Sequence, residues 1–195
     1  MKPIVSFVLT CCLITVPFLV VAQDAEDKVA IEECFNKYLQ SKWEQRRELM
    51  TRDAWGRAAM SVLYVNRNAA EAEIKGLGLK DYKLPDLPPD YKTLPEKEAI
   101  EKAQRVCRLA YIELSSELGT ERIVKLLEKI AETPKEPRTN LRLVNIKVLE
   151  DTDTATAECE VKGATVLVPM KFKKVDGAWR FDGNNEVLFF DRQRQ

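Results

Sequence analysis

The sequence contains no histidine. That absence removes every histidine-based catalytic triad, the common zinc sites and the easiest general base near neutral pH. There is no phosphate-cradling glycine loop, no Cys-x-x-Cys pair, no acidic metal loop and no Asn-x-Ser/Thr sequon. No cofactor and no metal site are expected. A basic excess is missing as well, with 31 Lys and Arg against 31 Asp and Glu. This balance argues against a general affinity for nucleic acid or anionic lipid, and no nucleic-acid partner is expected.

What is present begins with an export leader. Lys2 is followed by an uncharged apolar run from Ile4 to Ala22, and Gln23-Asp24-Ala25-Glu26-Asp27 comes next. Val20 and Ala22 suit the pocket of a signal peptidase, and Pro17 is expected to break the helix before the cut. These are the three regions of a secretory signal, so residues 1–22 read as a signal peptide. An uncleaved anchor is the alternative, since the run is close to spanning length. Cleavage gives a secreted or periplasmic protein with no stable membrane insertion. Removing 22 of 195 residues leaves 173, with 30 basic and 31 acidic side chains. One domain over 23–195 of that size buries roughly 70% of its unfolded surface.

Three of the five cysteines survive cleavage: Cys34, Cys107 and Cys159. Buried apolar thiols account for all three. A Cys34–Cys107 disulfide between two helices is the alternative in an oxidising compartment.

Helical patterning comes first. Ile31, Phe35, Tyr38, Leu39 and Trp43 recur at three- and four-residue spacing, which predicts a helix from Asp27 to about Leu49. Thr51 is placed to cap a second helix running to about Glu73, with Asp53 near its positive end. A proline-rich loop at 76–95 follows, packed by Tyr82, Leu84, Leu87 and Tyr91. Pro95 opens a third helix with a stripe of Ile100, Ala103, Cys107, Tyr111 and Leu114. Gly119 stops it, and Thr120 is expected to cap a fourth helix that ends before Pro134 and Pro137.

From Leu141 the period becomes two. Val144, Ile146 and Val148 alternate, then Ala155, Ala157, Cys159 and Val161. Val166, Val168, Met170 and Phe172 follow, then Trp179 and Phe181 after the Asp176-Gly177 hairpin signal. Tight turns, including Lys162-Gly163, make this an antiparallel meander of about four strands. Val187 to Phe190 is a further apolar patch. The fold class is α+β, with helices packed on one face of a curved, cone-like sheet.

The order of elements, Asp153-Thr154-Ala155-Thr156-Ala157 and the stretch Val168 to Asp182 resemble the cone-shaped superfamily named after nuclear transport factor two. That superfamily includes ketosteroid isomerases, SnoaL-type cyclases and small exported proteins. The match covers about residues 140 to 183, and the proline-rich loop stands where a typical member has an early strand pair. The resemblance implies an apolar pocket inside the cone and a homodimer formed through the sheet. Tyr38, Trp55, Tyr64, Tyr111 and Trp179 are the candidates for the pocket lining. The ordinary reading of a Tyr or Trp on an amphipathic helix, a core aromatic with a wet tip, is the stronger one for them.

The expected function is a non-catalytic exported binding domain for a small apolar ligand or a protein partner. An isomerase or hydrolase with a carboxylate base is one alternative, and a structural envelope component is another. Lys171, Lys173, Lys174 and Arg180 are basic neighbours across a hairpin. They read as a solubilising surface, with an anion or cell-surface contact as the sharper alternative.

Overall fold

The computed structural model describes residues 8–87, 93–131, 141–149, 152–161 and 167–184. The expected Val187–Phe190 patch, the Lys162-Gly163 turn and Val166 lie outside these residues. So do Pro88, Pro89, Tyr91, Pro134, Pro137 and the start of the leader.

Six helices precede four strands. They are α1 (Val8–Gln40), α2 (Trp43–Leu49), α3 (Arg52–Val65), α4 (Arg67–Gly76), α5 (Glu96–Leu118) and α6 (Thr120–Ile130). The strands are β1 (Leu141–Val148), β2 (Thr154–Val161), β3 (Leu167–Val175) and β4 (Ala178–Asn184). They form one open, curved antiparallel sheet in the order β1-β2-β3-β4. The α+β architecture with helices against the sheet is the one expected.

Several boundaries differ, each for a local reason. α1 runs unbroken through Pro17, so the expected helix break before Ala22 is not formed. The helix expected over 27–49 stops at Gln40. Ser41 Oγ donates to the Lys37 carbonyl at 2.6 Å and Arg46 Nε to the Tyr38 carbonyl at 3.2 Å. These bonds satisfy the end of α1 and let Trp43 start α2 inside the core. The helix expected over 51–73 breaks at Asn66, whose side-chain Nδ2 donates to the Val62 carbonyl at 3.0 Å. Gly119, at φ +75°, takes the cap position of α6, and Thr120 is its first helical residue. The Thr51 cap forms as expected: Oγ1 accepts from Ala54 N at 3.2 Å.

β1 departs from strict alternation. Arg142 faces Glu160 and Val144 faces Glu158, but Lys147 faces Thr156, so β1 holds one extra residue. Asn145 absorbs it at φ +54°. Leu141, Leu143, Ile146 and Val148 therefore pack against the core, whereas Val144 does not join Ile146 and Val148 there. The Asp176-Gly177 turn has positive φ at both residues, as its chemistry demands.

The inner face carries Ala155, Ala157 and Cys159 on β2, flanked by Met170 and Phe172 on β3 and Trp179 and Phe181 on β4. Small side chains on the second strand leave room for bulk from α1 and α3. Phe35, Trp55, Met60 and Leu63 belong to the same buried cluster, which runs from Ile31 to Phe181. The proline-rich loop belongs to the same body. Leu84 is buried, its N–H donates to Glu71 at 3.1 Å and its carbonyl accepts from Arg67.

The free edge of β4 is covered by the chain just before α3. Met50 pairs in parallel with Phe181, and Thr51 N donates to the Phe181 carbonyl at 2.9 Å. Cys34 and Cys107 are both buried thiols outside any disulfide, so the Cys34–Cys107 bridge is not formed. Their positions explain it. The Cys34 thiol lies 3.7 Å from the Leu49 carbonyl near Phe181, whereas Cys107 neighbours Tyr64 on the far helices.

Candidate functional site

α3 and α5 approach most closely at Gly56. A Cβ placed there would lie 2.8 Å from Cδ1 of Tyr111. Glycine inside a helix costs roughly 1 kcal/mol relative to alanine, so its presence marks the close backbone approach. Beside that contact a cleft of about 380 Å³ lies between the two helices. Arg52, Asp53, Gly56 and Arg57 line it from α3, and Arg108, Tyr111 and Ile112 from α5. An adjoining hollow of about 240 Å³ adds Glu101, Gln104 and Arg105. Together they present four arginines against two carboxylates. None of these lining residues comes from the sheet.

The sheet nevertheless fixes the cleft. β4 carries an extra residue opposite Lys171 and Phe172, and Gly183 stands there at φ +116°. Arg57 lies directly on Gly183, where a Cβ would come within 2.7 Å of its Nη2. That nitrogen donates to the Asp182 carbonyl at 2.8 Å, while Nη1 pairs with Asp53. Thr51 Oγ1 donates to Asp182 Oδ1 at 2.5 Å. The start of α3 and Arg57 inside the cleft are thus stitched to one bulge. Arg57 bridges a carboxylate and a carbonyl, a task suited to a planar fork of donors and not to a lysine.

Asp53 is half exposed and is also approached by Arg108, Nε to Oδ1 at 3.7 Å. Arg52 and Arg105 are exposed and make no ion pair or hydrogen bond to a described residue. Tyr111 and Ile112 give the cleft an apolar wall beside the guanidinium groups.

The aromatic candidates do not gather in one pocket. Tyr111 alone among the five lines this cleft. Tyr38 packs on Phe181 with ring centres 5.0 Å apart, under the guanidinium of Arg46. Trp55 is buried edge-on to Trp43 at 5.7 Å. Its Nε1 has no hydrogen-bond partner among the described residues. Tyr64 donates to the Pro85 carbonyl at 2.7 Å, and burial raises its pKa. Trp179 donates from Nε1 to Asp27 at 2.7 Å.

Asp27 also accepts from Lys174 at 2.8 Å. Burial pushes the Asp27 carboxyl up, but the hydrogen bonds from Lys174 and Trp179 outweigh it and hold the carboxyl below its ordinary value. This is a lock between α1 and the β3–β4 hairpin. Burial raises the thiols of Cys34 and Cys159, so neither is a ready thiolate. Among the described residues no three His, Cys, Asp or Glu side chains cluster as metal ligands, and no helix is long and apolar enough to cross a membrane.

The sequence reading missed Arg52, Arg57, Arg105 and Arg108. The available signal was Gly56 inside an otherwise helical stretch, flanked by Asp53 and Arg57 four residues apart. Comparison with protein-family models, with curated proteins and with solved structures returns no match.

Proposed function

We propose that this chain is an exported, non-catalytic binding domain whose α3–α5 cleft takes a small molecule bearing a carboxylate or phosphate on an apolar body. The observation that carries this reading is the convergence of Arg52, Arg57 and Arg108 on one cleft walled by Tyr111 and Ile112, with Arg105 in the adjoining hollow. Guanidinium groups match carboxylate and phosphate geometry with paired hydrogen bonds. The volume falls in the range of small-molecule sites. The arginines turn the expected apolar ligand into an amphiphilic anion.

Binding is favoured over catalysis because the cleft's Asp53 is half exposed and held by Arg57 and Arg108. A general base in an apolar pocket needs the opposite surroundings. Kinship with the superfamily named after nuclear transport factor two is supported by the meander, its Asp-Gly turn and the inward Trp179. The proposed site differs from that family's cone, since aromatic and aliphatic side chains fill the space between helices and sheet.

Export is supported by the leader at residues 1–22. The intact mass of the exported chain is expected to start at Gln23, and a retained leader refutes this part of the reading.

Titration calorimetry with octanoate, octyl phosphate and neutral octanol tests the binding function. At least one anion is expected to bind and octanol is not. Arg52→Ala/Arg108→Ala, two exposed positions, should weaken the anion by about tenfold to a hundredfold. Equal affinity for octanol, or an unchanged double variant, refutes the reading.

A further inference from the structure

The outer face of the sheet is unevenly charged. At one end Arg142 pairs with Glu160, and Asn145 Nδ2 donates to Glu158 at 2.5 Å. The other end has no such compensation. Strand register sets Lys147, Thr156 and Lys171 side by side in one row, and Thr154, Lys173 and Arg180 in the next. Leu149 N donates to the Thr154 carbonyl, which places Leu149 at the end of the second row.

Strands lie about 4.8 Å apart, and same-face residues along a strand about 7 Å apart. Four cations therefore share a patch about 14 Å across the strands and about 7 Å along them, with only threonines between them. None of the four makes an ion pair or hydrogen bond to a described residue. Lys174, adjacent in sequence, points to the inner face and Asp27. Asp182 is turned to Thr51, and Asp153 and Asp176 at the strand ends pair with none of the four.

Like charges directly opposite in a sheet oppose folding, so Lys173 facing Arg180 is not explained by stability. The patch extends in two dimensions across the outer face of the curved sheet. Leu149 stands exposed at its rim, at 44%. None of the four cations lines the α3–α5 cleft or its adjoining hollow. A clustered set of four basic side chains meets the lower bound for attraction to anionic headgroups. The neutral charge of the whole chain conceals this, because the compensating acids lie elsewhere. We propose that the Lys147–Lys171–Lys173–Arg180 end of the outer sheet face adsorbs to a bilayer surface bearing anionic phospholipid headgroups.

The test is cosedimentation of the full chain with phosphatidylcholine vesicles, with and without about a quarter phosphatidylglycerol. The quantity read is the ratio of the two partition coefficients, in which any contribution of the apolar leader is common to both. That ratio is expected to exceed one clearly and to fall as salt is raised. Lys171→Glu/Lys173→Glu should reduce it about thirtyfold or more. Lys147→Gln/Lys171→Gln, which adds no new ion pair, should reduce it in the same direction, with melting curves confirming that both variants fold. A ratio near one for the parent chain overturns the proposal, as does a ratio unchanged in the two variants. Binding of inorganic polyphosphate without any preference for anionic vesicles also overturns it.

Discussion

Two seams run through this molecule, and they are built from opposite materials. Between helices and sheet, Phe35, Trp55, Phe172 and Phe181 close a dry interior around the small residues of β2. Between α3 and α5, a glycine sets the spacing and arginines occupy the mouth. Aromatic side chains gain most by leaving water, so they migrate to the first seam whatever their chemical interest. Guanidinium groups need water or oxygen acceptors, as Arg57 finds at Asp53 and the Asp182 carbonyl, so they remain at the second. A search for function among the tyrosines and tryptophans thus finds mainly the architecture.

The largest test of that contrast is Trp55→Ala. Removing a fully buried indole should cost about 3–5 kcal/mol, read by urea denaturation. A loss under about 1 kcal/mol would mean that the interior is not one packed body.

Gly56→Ala addresses the second seam. The new methyl meets the Tyr111 ring, and overpacking of this kind costs about 1–3 kcal/mol, against a gain near 1 kcal/mol from helix propensity. A net destabilisation is expected. Gly76→Ala, with nothing within 4 Å of its Cβ position, should be neutral or mildly stabilising. If both substitutions stabilise, the α3–α5 contact does not set the cleft.

The smallest effect compares two aspartates. Asp27→Asn removes charge-assisted bonds at a largely covered site and should cost about 1–2 kcal/mol at neutral pH. Asp53→Asn, at an exposed pair, should cost less than about 1 kcal/mol. Because Asp27 is held below its ordinary value, its contribution is complete above the unfolded carboxylate pKa, near 3.9. It is lost as pH falls through the lower folded value. The gap in melting temperature between parent and Asp27→Asn should therefore close below about pH 4. A gap that is constant with pH would show that the lock is not ionic.

Much of the fold was legible because local chemistry and tertiary packing agree. Alternation at Ala155, Ala157 and Cys159, the Asp176-Gly177 turn and the Thr51 cap each follow from a few neighbouring residues. The bulge in β1 was legible in principle. Apolar residues at Leu141 and Leu143 shift phase to Ile146 and Val148, with Asn145 at the change. The breaks after Gln40 and at Asn66 were not, since helical periodicity continues across both and side-chain hydrogen bonds decide them. The cleft was the least legible feature. Arg57 and Arg108 are 51 positions apart in the sequence, and nothing local says that α3 and α5 touch.

The pairing of Met50 with Phe181 has a consequence for biogenesis. The strip that shields the last strand lies far upstream of it, so it leaves the ribosome first. When β4 emerges, its exposed amides and carbonyls meet a partner from the same chain before they can recruit a neighbour's. A neighbour's strand that added at that border would first have to displace the Met50 contact at Phe181, which the order of synthesis puts in place ahead of it.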